Sequence, residues 1–297
     1  MKRSFSFRSN RSVLTPHSTF QRGFTLVELM IAITVTLVLV AGIVGMIVNL
    51  TRSFTAQDAM TQTQENERFA ISVLDSTIRN TGYFPGAENF STPGGVQFFT
   101  QAAGQLNAYP ATTVANPDGT TFAAGQVIVG TTVAGGSDTI NVRVIAPSNG
   151  TITNCQGDLN KTASPIIWTS SLSINASNQL VCTVSVNGQA PGTPTVLADN
   201  ISSMKFVYGV QSQMPNCLNA QQAPPLNVDA YVDASGLKGP QTAQLCWTLG
   251  AVTPLNWMYV QSVQATLTFV NTVVQTTGSP TVTLKPIVHT IYMMNVT

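Results

Sequence analysis

Few residues of this 297-residue chain are of types that do chemistry, and those few are widely spaced. The four cysteines, Cys155, Cys182, Cys217 and Cys246, form no Cys-x-x-Cys pair, and His289 is the only histidine in the same half of the chain. A zinc site calls for tighter ligand pairs. In an exported domain an even cysteine count reads as two disulfides. Of the three pairings, Cys155–Cys182 with Cys217–Cys246 closes two short loops, each contributing roughly 3 kcal/mol on a chain-entropy argument. There is no Gly-x-Ser-x-Gly elbow, no Gly-x-Gly-x-x-Gly and no Walker loop. A Ser–His–acid triad would have to use His289, which sits between Val288 and Thr290 in a strand-like run and reads as an ordinary strand histidine. Asp229, Asp233 and Ser235 before Gly236 could line a calcium loop, but their spacing is not that of an EF-hand, and a solvated acidic loop is the default. Trp168, Trp247 and Trp257 read as core or rim residues. No catalytic residue, metal site or cofactor is expected.

One acid stands out. Glu28 opens an apolar run, Leu29 to Val48, that is twenty residues long and carries no charge. At 1.5 Å per residue such a helix spans about 30 Å, the thickness of a bilayer core. An unpaired carboxylate inside that layer costs roughly 2.5–3.5 kcal/mol on insertion scales, so a partner is expected. A chain cut after Gly23 would carry one, the new ammonium on Phe24, four residues from Glu28. The charges around the run are lopsided: Lys2, Arg3, Arg8, Arg11 and Arg22 precede Phe24, and no acid does. By the positive-inside rule the N-terminus stays in the cytoplasm and the C-terminal part is exported. No small-x-small cleavage site follows the run, so the apolar segment is expected to stay on the protein.

Overall composition agrees. Charged residues make up 8% of the chain, against roughly 25% in typical soluble domains. From Phe24 onward eight basic residues face twelve acids, a net charge of about −4. Such a body lacks the basic stripe of a nucleic-acid binder, and no nucleic-acid partner is expected.

The residues Gly23-Phe24-Thr25-Leu26-Val27-Glu28-Leu29, with Arg22 before them, resemble the processing site of type IV prepilins at every position. The resemblance implies that a membrane-embedded prepilin peptidase cuts after Gly23 and methylates Phe24. It also implies that Glu28 contacts a neighbouring subunit's N-terminus during assembly. The apolar run would first anchor the subunit in the inner membrane, with the head in the periplasm, and then pack in the filament core of a surface pilus. Implied partners are the peptidase, other minor pilins and the major pilin, the inner-membrane assembly platform and a tip adhesin.

The elements that would carry this arrangement can also be read. Beyond the membrane, Ala70, Val73, Leu74, Thr77 and Ile78 recur at helical spacing, and Thr81-Gly82 supplies a stop. One helix is therefore expected from about Phe24 to Asn80, roughly 85 Å long, with Gly42 and Gly45 as places for bending or close packing. Period-two alternation then marks strands at Ile140–Val144, Met204–Tyr208 and Val263–Phe269, with further candidates at Gln126–Val133, Leu180–Val186 and Thr281–Met294, the last interrupted by Pro286. The fold class that follows is α+β: a long N-terminal helix packed on an antiparallel β-rich head. The expected domains are a leader over 1–23, the helix over 24–82 (transmembrane about 27–50) and the head over 83–297. Long loops are expected around Ala102–Gly125, Gly209–Asp229 and Asp233–Gly250.

Within the pilin class, Glu65-Asn66-Glu67-Arg68-Phe69-Ala70 continuing to Tyr83-Phe84 resembles the helix end of PilW-type minor pilins. Asp199-Asn200-Ile201 with Met204–Val210 is similar to their central strand, and Val260–Leu267 to their late strand. That resemblance implies a non-catalytic pilus assembly subunit, with consequences for adhesion or twitching motility. A J-like pseudopilin of a type II secretion system is the alternative. An anchored periplasmic hydrolase or binding protein is the reading from a different class.

Overall fold

The computed structural model describes residues 23–83, 108–148, 150–210, 228–237, 257, 260–271 and 282–294. A single helix, α1 (Leu26–Arg79), runs unbroken through Gly42 and Gly45. The chain divides into two compact units, one ending at Phe54 and the other beginning at Thr55.

In the first unit every described residue is exposed, including Leu29, Ile33, Leu37, Val40 and Val44. The helix is long and apolar enough to cross a membrane. Three of its threonine hydroxyls are satisfied internally, as a hydrocarbon environment requires. Thr34 Oγ1 donates to the Ile31 carbonyl at 2.9 Å, Thr36 to Ala32 at 2.7 Å and Thr51 to Ile47 at 2.9 Å.

The second unit begins with the C-terminal half of α1, which buries Thr63, Ala70, Leu74 and Ile78. The last three recur every four residues and form one stripe, as the sequence spacing predicts. At the helix end Asp75 and Arg79 form an ion pair at 2.9 Å. Gly82 then takes φ +75°, a left-handed turn that suits glycine. The Gly82 N–H donates to the Arg143 carbonyl at 3.0 Å, and the Ile145 N–H donates to the Tyr83 carbonyl at 3.1 Å. The chain leaving the helix is thereby stitched to a strand edge.

Two antiparallel sheets follow. The first is a meander of β1 (Ile128–Thr131), β2 (Thr139–Ala146), β3 (Ile166–Ile174), β4 (Leu180–Val186) and β5 (Thr195–Ala198), adjacent in that order. The second uses β6 (Ile201–Val210), β7 (Ala230–Val232), β8 (Val260–Asn271), β9 (Val282–Thr283) and β10 (Ile287–Tyr292), in the order β10-β8-β6-β7 with β9 on β8. This is an α+β architecture. In β6 and β8 the alternation holds: Met204, Phe206, Tyr208, Val263, Ala265, Leu267 and Phe269 are buried in the main core with Leu74 and Ile78 of α1. The run 281–294 is split by Leu284–Pro286 into β9 and β10, with β10 at a sheet edge where proline can precede it.

In β2 the expected half-buried alternation fails, because both faces are covered. Asn141 and Arg143 are each 1% exposed. The segment from Tyr109 to Gln126 accounts for this. Arg143 donates to the carbonyls of Pro110 (2.6 Å), Ala123 (3.1 Å) and Gln126 (2.9 Å), and its guanidinium carbon lies 4.4 Å from the Phe122 ring centre. Burial pushes this guanidinium down to about 10. Carbonyl dipoles and a ring face thus solvate a cation that water cannot reach.

Asp138 joins the two sheets. It is 2% exposed, and its carboxylate accepts the backbone N–H of Val133 (3.0 Å) and Phe206 (3.0 Å) and the Lys205 ammonium (2.9 Å). Its own N–H donates to the Met204 carbonyl at 2.8 Å. The entry to β2 therefore runs along the edge of β6 beyond the point where β7 stops pairing.

Candidate processing site at the start of the long helix

Gly23, Phe24 and Thr25 are non-helical, and α1 begins at Leu26. The Thr25 carbonyl accepts the Leu29 N–H at 3.2 Å, and its side-chain oxygen accepts the Glu28 N–H at 3.3 Å. That is the geometry of a helix N-cap. Glu28 falls in the first turn, where the helix dipole favours a negative charge. Phe24 is 79% exposed, so its ring is free for another molecule. A Cβ added at Gly23 would meet nothing within 4 Å. Among the described residues there is therefore no packing reason for glycine there.

The other candidates fall elsewhere. Cys155 and Cys182 are joined in a disulfide with Cα atoms 6.1 Å apart, tying the loop before β3 to β4. Cys217 and Cys246 lie outside the described residues, as does Trp247. Trp168 fills a small cluster with Val144 and Ala146, and Trp257 packs edge-on against Tyr208 with ring centres 4.7 Å apart. His289 faces α1, its Nε2 3.2 Å from Asp75 Oδ1. The Arg79 guanidinium, and then His289, hold the Asp75 carboxyl below its usual range, although burial acts against them. Asp75 thus serves as a hub between the helix end and the edge strand.

The Asp233 carboxylate caps the 3-10 turn Ala234–Gly236, accepting Ser235 N (3.0 Å), Ser235 Oγ (2.6 Å) and Gly236 N (3.1 Å). Ser235 is thereby its donor. A cleft of about 80 Å³ lies among Pro117, Asp118, Thr139, Asn141 and Ser171. Asp118 spends its four acceptor positions internally, on Thr120 N and Oγ1, Thr139 Oγ1 and Asn141 Nδ2. Its role is to fasten the loop 116–120 to β2. Sequence reasoning missed this network, Asp138 and the Thr25 cap. The Thr25-x-x-Glu28 spacing was the one signal that could have revealed the cap.

The family described as "Prokaryotic N-terminal methylation motif" matches residues 19–44. The architecture is type IV pilin-like. No curated protein and no solved structure matches the chain. The motif supports a type IV pilin-like or pseudopilin protein, structural in kind and membrane-anchored through α1. It implies processing by a prepilin peptidase and assembly with other pilins.

Proposed function

We propose that this chain is a minor type IV pilin of PilW type, a non-catalytic subunit that helps prime or cap the filament. Prepilin peptidase removes residues 1–23, and an activated methyl donor modifies the new amine of Phe24. The N-terminus faces the cytoplasm and the β-rich unit the periplasm until the subunit enters the pilus. In the filament the Glu28 carboxylate pairs with the Phe24 ammonium of a neighbouring subunit, which removes the cost of an unpaired acid among apolar helices.

The observation that carries this reading is Gly23. It lies in open space next to an exposed phenylalanine and a capped apolar helix. Its side-chain-free backbone suits an external reader, because none of the described residues packs against it. The test is a Gly23→Glu variant: it is expected to retain residues 1–23, while wild type loses them. Equal processing of the two would overturn the assignment. Deleting the gene tells a pilus from a secretion role: loss of surface pili and twitching supports the first, and loss of exoprotein secretion with pili intact supports the second.

A further inference from the structure

Hydrolysis of the Gly23–Phe24 bond needs more than the right residues; the bond must also be out of the helix. Water adds its hydroxyl to the Gly23 carbonyl carbon, the C–N bond breaks, and the proton ends on the Phe24 nitrogen. In a helical turn the neighbouring residues crowd that carbonyl and its oxygen is tied to an N–H four residues on. Here the helix stops two residues beyond the scissile bond.

Four side chains around that stop match a helix-start signal. Thr25 is the N-cap, its hydroxyl oxygen 3.3 Å from the Glu28 nitrogen. Glu28 is three residues on, the acidic position of a capping box, and Phe24 and Leu29 occupy the two positions of a hydrophobic staple. Among the described residues, the Thr25 hydroxyl is the side-chain group seen to accept a helix-end N–H at this boundary. Phe24 and Thr25 are followed by an apolar helix, and in a membrane an extra helical turn satisfies backbone groups that otherwise have no partner. An uncapped helix would grow back over Phe24 and draw the scissile bond into its first turn.

We infer that Thr25 is a positioning residue for processing: its N-cap fixes the helix boundary that keeps the Gly23–Phe24 bond extended for the peptidase. This rests on the prepilin reading and adds a conformational requirement to it. The residue acts through the backbone, so its replacement should follow capping preference rather than shape. Serine and asparagine cap at least as well as threonine, whereas alanine and valine cap poorly, although valine has nearly threonine's shape.

The experiment measures the rate of leader removal from the full-length chain in membranes containing prepilin peptidase, by mass of the product. Wild type, Thr25→Ser, Thr25→Asn, Thr25→Ala, Thr25→Val and Gly23→Glu are compared. Ser and Asn should stay within about twofold of wild type, and Ala and Val should fall about fivefold, the equilibrium weight of a typical cap. Equal rates across the Thr25 series would overturn the inference, as would Val cleaving like wild type while Asn is slow. If wild type itself keeps its first 23 residues, the prepilin reading fails; if wild type is cut and the series is flat, only the cap inference fails.

Discussion

Replacing Asp138 with alanine removes the junction between the two sheets while leaving every apolar contact in place. The carboxylate accepts three hydrogen bonds, from Val133 N, Phe206 N and Lys205 Nζ. Hydrogen bonds to a charged group contribute about 1.5–3 kcal/mol each, and a buried N–H left without an acceptor costs about 1–3 kcal/mol. The Lys205 contribution is discounted, because its side chain is 38% exposed and water takes over much of the ion pair. The Phe206 N–H bond is buried and the Val133 N–H bond partly so, which leaves two orphaned donors at full and partial weight. The expected loss is about 3–5 kcal/mol for Asp138→Ala. Asp138→Asn should lose about 2–3 kcal/mol, since its amide oxygen can serve one backbone donor while its NH₂ opposes the other. Urea unfolding of the full-length protein in detergent, followed by fluorescence of the buried Trp168 and Trp257, measures both. A loss below about 1 kcal/mol for the alanine variant would refute the junction, because a surface carboxylate behaves that way.

Gly130→Ala should be costly, since the new Cβ would fall on the Tyr208 hydroxyl and 2.6 Å from the Thr139 carbonyl oxygen. Overpacking of this kind costs about 1–3 kcal/mol, and the same unfolding assay reads it. Cys155→Ser with Cys182→Ser opens a loop with a sequence separation of 27. It should cost about 3.5 kcal/mol, and thiol reductant should lower wild-type stability by more than the variant's. Asp75→Asn should cost under about 1 kcal/mol near neutral pH, as for other partly exposed pairs. Arg79 and His289 depress the folded carboxyl, so its contribution is present above about pH 4 and is lost as pH falls further. Stability curves of wild type and variant should therefore converge in acid; curves that diverge there would refute the assignment.

The helix and the central strands of the second sheet were legible because their signals are periodic. Ala70, Leu74 and Ile78 repeat every turn, and Met204–Tyr208 and Val263–Phe269 alternate over a half-buried sheet. β3 was not legible, because Thr169, Ser170 and Ser171 interrupt its apolar pattern, yet all three are buried in a central strand. The burial of Arg143 was not legible for a related reason. Its burial depends on a loop some twenty to thirty residues earlier in the chain, whose carbonyls converge on it. The short strands β5 and β7 carry too few residues for a period to emerge. At the candidate site, the residue types Gly23, Phe24 and Glu28 could be read directly. The helix boundary at Thr25 needed the hydrogen bond to be seen.

The central claim is that Gly23–Phe24 is a processing site, and it is tested most directly by the mass of the protein's N-terminus after expression in a piliated host. The account predicts a chain that starts at Phe24 and is heavier by one methyl group. A chain still beginning at Met1, or one cut beyond the apolar helix, would contradict it.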